Sequence, residues 1–102
     1  MKRLAPMHPG EVLREEFLVP LELKPYSAAK RLGVPRTRIE RIVAEEIGIT
    51  ADTALRLARL FGTSAEFWLN LQSRYDMLTA QKKIGRELNK IKPAIEEKHA
   101  LA

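Results

Sequence analysis

The sequence predicts an all-α fold, a bundle of five short helices with a C-terminal helical extension. Three observations carry this. Apolar residues recur at spacings of three and four, no strict alternation lasts long enough for a strand, and start and stop residues punctuate the chain at short intervals.

The first helix is expected over about Pro9 to Leu18. Pro9 suits a first-turn position, Glu11 stands near the positive helix end, and Pro20 stops the run. Its apolar face is Val12, Leu13 and Phe17, with Leu21 beyond it. The second runs from Pro25 to Leu32 and closes at Gly33, and the third from Arg36 to about Ala44, just after Pro35. Thr50 is the expected N-cap of the fourth, with Asp52 in its first turn and Gly62 at its end. Ser64 opens the fifth, which carries Phe67, Trp68, Leu71, Tyr75 and Leu78. Ile84, Leu88, Ile91 and Ile95 form one further helical stripe on a basic segment. Residues 1–80 are therefore read as one domain. Residues 81–102 are read as an extension, helical to about Ile91 and frayed beyond because Pro93 disfavours helix at Lys92. The stripe either packs on helix five or across a dimer axis, or orders only when a partner binds.

The absence of cysteine excludes a disulfide framework, thiolate catalysis and Cys-ligated metal centres. No apolar run reaches the roughly 18–20 residues that span a bilayer, and no signal-peptide pattern opens the sequence, so a cytoplasmic protein is expected. The formal net charge is +5, which makes an acidic partner worth testing. Its distribution matters more than its size. Residues 35–49 carry three basic and three acidic groups, whereas residues 81–102 carry six and three.

The informative stretch is Pro25-Tyr-Ser-Ala-Ala-Lys-Arg-Leu-Gly-Val-Pro-Arg-Thr-Arg-Ile-Glu-Arg-Ile42, a helix-turn-helix over about residues 25–45. Close crossing of its two helices wants a small residue at Ala29, and the tight turn wants the positive φ that Gly33 adopts freely. Leu32, Val34, Ile39 and Ile42 point inward, which leaves Arg36, Thr37, Arg38 and Arg41 on the outer face. Arg36 and Thr37 fall in the first turn, where a recognition helix reaches base edges, and arginine can grip guanine with two hydrogen bonds. The plainer reading is a helical hairpin with solvated arginines.

Three stretches carry a family resemblance: His8-Pro-Gly-Glu-Val-Leu-Arg-Glu-Glu-Phe-Leu18, Ala29-Lys-Arg-Leu-Gly-Val-Pro-Arg-Thr-Arg-Ile39, and Gly48 to Asp76 with its Gly-Thr-Ser-Ala-Glu-Phe-Trp-Leu-Asn-Leu-Gln run. Over about Met7 to Met77 the chain resembles the HigA antitoxins, a branch of the Xre/Cro-like helix-turn-helix proteins that includes virulence-associated protein I. The resemblance implies a Cro/lambda-repressor-like bundle and a homodimer that binds a palindromic double-stranded DNA operator at its own promoter. It also implies direct neutralisation of a cognate mRNA-cleaving toxin. Base reading falls on Arg36 and Thr37, with Arg41 about one turn on, and phosphate contact on Arg38 and Tyr26. The departure is the loop Ala44-Glu45-Glu46, where the family's loop is basic and Gly-containing. Its carboxylates either point away from the duplex or weaken binding.

No catalytic set can be assembled, and neither cofactor nor metal site is expected. His8 and His99 have no nearby carboxylate pair at ligand spacing, and His8 is read as shaping the start of helix one. Ser27, Ser64 and Ser73 have no partner base, and no phosphate-cradling Gly loop occurs. Glu15-Glu16 and Glu96-Glu97 are read as solvated, and the Phe67, Trp68 and Tyr75 group as core or dimer packing. Glu11, Glu15, Glu16 and Glu22 are candidates to face a basic toxin. The alternatives are a stand-alone Xre-type regulator without a toxin, and an interaction module that no longer binds DNA.

Overall fold

A computed structural model describes residues 6–95 of the chain. It is all-α, with no strand among the described residues. Helix α1 (Pro9–Val12) continues directly into a π-helical segment, Leu13–Leu18, followed by α2 (Pro25–Leu32), α3 (Arg36–Val43), α4 (Ala51–Phe61) and α5 (Ala65–Asn89).

Most caps are those the sequence announces. Pro9 and Pro25 sit in the first turns of their helices. The Thr50 and Ser64 hydroxyls accept the backbone N–H of Thr53 and Phe67. Gly33 and Gly62 both take φ of 72°, the left-handed conformation that a side chain disfavours. At the first of these, Val34 N–H reaches the Ala29 carbonyl and Gly33 N–H that of Lys30, the paired bonds of a Schellman closure.

Three expectations need correction. The first helix is not a regular α-helix to Leu18. Its second half widens, and Val19 N–H bonds the Arg14 carbonyl five residues back. The widening lies one turn before Pro20, whose ring would meet the carbonyl four residues back in a regular helix and which has no N–H to give it. The chain then turns at Glu22, φ 52°, with Leu23 N–H bonded to the Leu18 carbonyl. Leu21 consequently faces solvent rather than extending the apolar face. Lastly, α5 runs to Asn89, close to the expected end near Ile91, but it is kinked at Ile84 (φ −112°, ψ 18°). Ile84, Leu88, Ile91 and Ile95 are all exposed, so the stripe does not pack within the chain. Residues 96–102, which include Glu96, Glu97 and His99, lie outside the described residues.

The core gathers Val12, Leu13 and Leu18 from the first helix, Ala28, Ala29 and Leu32 from α2, Ile39 and Ile42 from α3, Ile49, Ala54 and Leu57, and Trp68. Phe17 joins Phe61, Phe67 and Trp68, with ring centroids 5.0, 6.2 and 5.1 Å away. The fully buried Trp68 donates its indole N–H to Thr63 Oγ1 at 2.8 Å, so no polar atom is left stranded by that burial.

One close approach sets where the first helix meets α3. A Cβ added to Gly10 would lie 1.8 Å from the Ile42 carbonyl oxygen, so only glycine permits this approach of backbone to backbone. His8 caps the same helix: its Nδ1 accepts Gly10 N–H at 2.9 Å, and its ring meets Tyr75 edge-on at 4.8 Å. An accepting Nδ1 requires the neutral imidazole. Burial lowers the His8 pKa below 6.5, against smaller opposing pulls from Glu45 and Asp76.

Gly10→Ala is therefore expected to destabilise the fold by about 3 kcal/mol, read by chemical denaturation. The unfolded chain binds the His8 proton more tightly than the folded one, so stability is complete above pH 6.5. It should fall as pH drops from there towards the lowered folded pKa. His8→Asn keeps an acceptor for Gly10 N–H and should flatten that part of the stability–pH curve.

Candidate nucleic-acid interface

The face of α3 turned away from Ile39 and Ile42 is built from the residues the sequence nominates. Arg36, Thr37 and Arg41 are exposed, while the Arg38 side chain retains 35% of its exposure. Tyr26, in the first turn of α2, is exposed beside them. The Arg36 guanidinium lies 5.8 Å from the centre of the Tyr26 ring, within cation–π range. The turn at Gly33 thus brings Tyr26 of α2 beside Arg36 of α3.

Each arginine on this face also has a carboxylate partner. Arg36 Nε is 3.8 Å from Glu40 Oε2 and Arg41 Nε is 3.4 Å from Glu46 Oε1, both exposed pairs worth little to stability. Arg38 Nη1 donates to Asp52 Oδ1 at 2.8 Å, and Arg56 Nε donates to the same oxygen at the same distance. These two guanidinium groups, Arg56 first, hold the Asp52 carboxyl below its ordinary pKa.

The loop Ala44-Glu45-Glu46 has a specific geometry. Glu46 N–H bonds the Arg41 carbonyl and Glu45 N–H that of Ile42, a second Schellman closure that places Glu45 at φ 63°. A glycine-preferring position is thus held by a glutamate. Its carboxylate reaches back to Arg14 Nη2 at 3.3 Å, while Glu46 turns to Arg41. The two carboxylates therefore serve different partners, one behind α3 and one on its outer face.

Several organising residues escape a reading of the sequence. Arg14 donates to the Val43 carbonyl at the end of α3 as well as to Glu15 and Glu45. Arg56 Nη1 donates to the Leu32 carbonyl at 2.8 Å, bracing the turn from the side of α4. Gln72 accepts Ile49 N–H at 2.7 Å and donates to Asp76, which ties the loop before α4 to α5. Of these contacts, the two spaced four apart on one helix, Asp52–Arg56 and Gln72–Asp76, are visible in the sequence. Among the described residues, no group of three His, Asp or Glu is placed to hold a metal ion, and no helix is long and apolar enough to cross a membrane.

Residues 14–68 match the helix-turn-helix family HTH_3. The chain belongs to that family, in its HigA antitoxin branch. Virulence-associated protein I of Dichelobacter nodosus is 55% identical over 75 residues, which span 74% of this chain and 69% of the relative. Antitoxin HigA-1 of Vibrio cholerae is 32% identical over 86% of this chain and 83% of its own length. An uncharacterised helix-turn-helix-type transcriptional regulator of Haemophilus influenzae is 44% identical over 88% and 86%. Among solved structures, the Pseudomonas aeruginosa antitoxin HigA with the higBA promoter superposes with a TM-score of 0.85 at 45% identity, over 88% of this chain and 99% of that one. The antitoxin GraA in complex with its operator gives 0.86 at 37% identity, over 94% and 98%. The helix-turn-helix carries its family's fold over nearly the whole described chain.

Because the Leu32 carbonyl loses a charged donor, Arg56→Met is expected to lower the stability of this helix-turn-helix protein by about 1–2 kcal/mol in thermal unfolding followed by Trp68 fluorescence.

Proposed function

We propose that this protein is a homodimeric, sequence-specific DNA-binding antitoxin that represses its own operon and neutralises an mRNA-cleaving toxin by direct contact. The supporting observation is the outer face of α3, where Arg36, Thr37 and Arg41 stand clear of the bundle on a helix whose opposite face is locked into the core. Likeness to antitoxins solved with promoter or operator DNA supports the same reading. Arg36 and Thr37 read bases from the first turn of α3, Arg41 reads further along, and Arg38 and Tyr26 contact phosphate. Two copies place their α3 helices about 34 Å apart, in successive major grooves on one side of the duplex. The action is binding rather than catalysis, and it takes place in the cytoplasm. Residues 1–80 form the DNA-binding unit, with residues 81–102 as its basic extension.

A second reading, a stand-alone regulator with no toxin, draws on the likeness to the Haemophilus influenzae regulator. Co-expression with the neighbouring gene separates the two. A stable co-purifying complex that relieves growth arrest supports the antitoxin, and free growth without any complex supports the regulator.

Arg36→Ala should cost about 1–3 kcal/mol on the protein's own promoter and relax the preference at one base pair per half-site, measured by gel shift with mutated duplexes. Unchanged promoter affinity and preference in that variant would remove α3 as the reading element.

A further inference from the structure

Arginine on a DNA-facing helix has two uses that conflict. Reading a base demands one orientation, whereas a free guanidinium follows any phosphate in any register. The three arginines of α3 meet this conflict with unequal restraint. Arg36 and Arg41 have long, exposed ion pairs, and their side chains keep 64% and 59% of their exposure. Arg38 keeps 35% and is hydrogen-bonded to Asp52 Oδ1 at 2.8 Å. Asp52 is itself restrained. The same oxygen receives Arg56 Nε at 2.8 Å, and Arg56 is anchored through Nη1 to the Leu32 carbonyl at 2.8 Å. The chain of contacts therefore runs from the backbone of the turn, through Arg56 and Asp52, to the Arg38 guanidinium. Asp52 also lies in the first turn of α4, where the positive helix end favours an anion.

We propose that Asp52 is a specificity-determining positioning residue: it holds Arg38, and with it Arg56, in one orientation and so denies both guanidinium groups to phosphates in non-specific registers. The proposal rests on the reading of DNA by α3 stated above. Non-specific association draws essentially all of its affinity from phosphate contacts. A restrained Arg38 contributes to it only where the duplex happens to lie in the one geometry the clamp allows. In the specific complex that geometry is the docked one, and the restraint costs little. Removing the carboxylate charge frees Arg38 to follow the backbone and leaves Arg56 held by its Leu32 anchor alone, which strengthens binding to every sequence except the one already satisfied.

The test uses the full chain, a duplex enriched by it from a random-sequence library, and an unselected random-sequence duplex of equal length. Asp52→Asn and Asp52→Ser are compared with Glu87→Gln, which makes the same change of formal charge on exposed α5. The Asp52 variants should bind the random duplex about three- to ten-fold more tightly at moderate salt, with a steeper salt dependence by up to about 0.9 per freed arginine. Binding to the enriched duplex should change less than two-fold, and Glu87→Gln should move neither. The proposal is overturned if both duplexes shift equally, if both weaken, or if Glu87→Gln does the same. Failure of the wild-type chain to enrich any sequence would overturn the DNA-reading assignment along with it, whereas equal shifts on an enriched duplex overturn the Asp52 role alone.

Discussion

The backbone of Gly10 rests against the Ile42 carbonyl, and the placement of α3 depends on that contact. A single added carbon there would lie 1.8 Å from the oxygen, so the first helix can approach the end of α3 only at a residue without a side chain. The neighbouring groups reinforce the junction. His8 caps the incoming helix, Arg14 donates to the Val43 carbonyl, and Glu45 ties itself to Arg14. With α3 fixed at this end, and α2 fixed at the other by Gly33 and Arg56, the outer face has one orientation relative to the bundle.

The electrostatics of that face follow from pairing rather than from net charge. The overall +5 suggests a polyanion-binding protein, but segment by segment the excess sits largely in residues 81–102. On α3 each arginine is matched by a carboxylate, from its own helix, from the loop after it, or from α4. Such a surface attracts phosphate weakly at long range and presents directed donors at short range. In the proposed DNA-binding role, that favours discrimination between sequences over raw affinity.

Much of the fold is legible in the sequence because its signals are local. Pro9, Pro25, Thr50 and Ser64 open helices, Gly33 and Gly62 close them, and each works through bonds spanning a few residues. Of the inward set of the helix-turn-helix, Leu32, Ile39 and Ile42 are buried and Val34 is half-buried, with Ala29 buried at the crossing. The candidate face, Arg36, Thr37 and Arg41, is then fixed as its complement. The π-helical turn is less legible: Pro20 announces an interruption, but not that the turn before it widens to admit one more residue.

The sequence by itself determined the helices, the tight turn and which side of α3 is polar, since backbone hydrogen bonding and apolar spacing act between near neighbours. Tertiary structure alone decided which distant groups the long side chains reach. Arg38 finds Asp52 fourteen residues away, Arg56 reaches the Leu32 carbonyl twenty-four residues back, and Arg14 meets Val43 across twenty-nine. Long, flexible guanidinium side chains choose partners by proximity in the folded state, and no periodicity encodes that choice. The same holds for the glycine at position 10, whose necessity appears only when another helix's carbonyl lies against it.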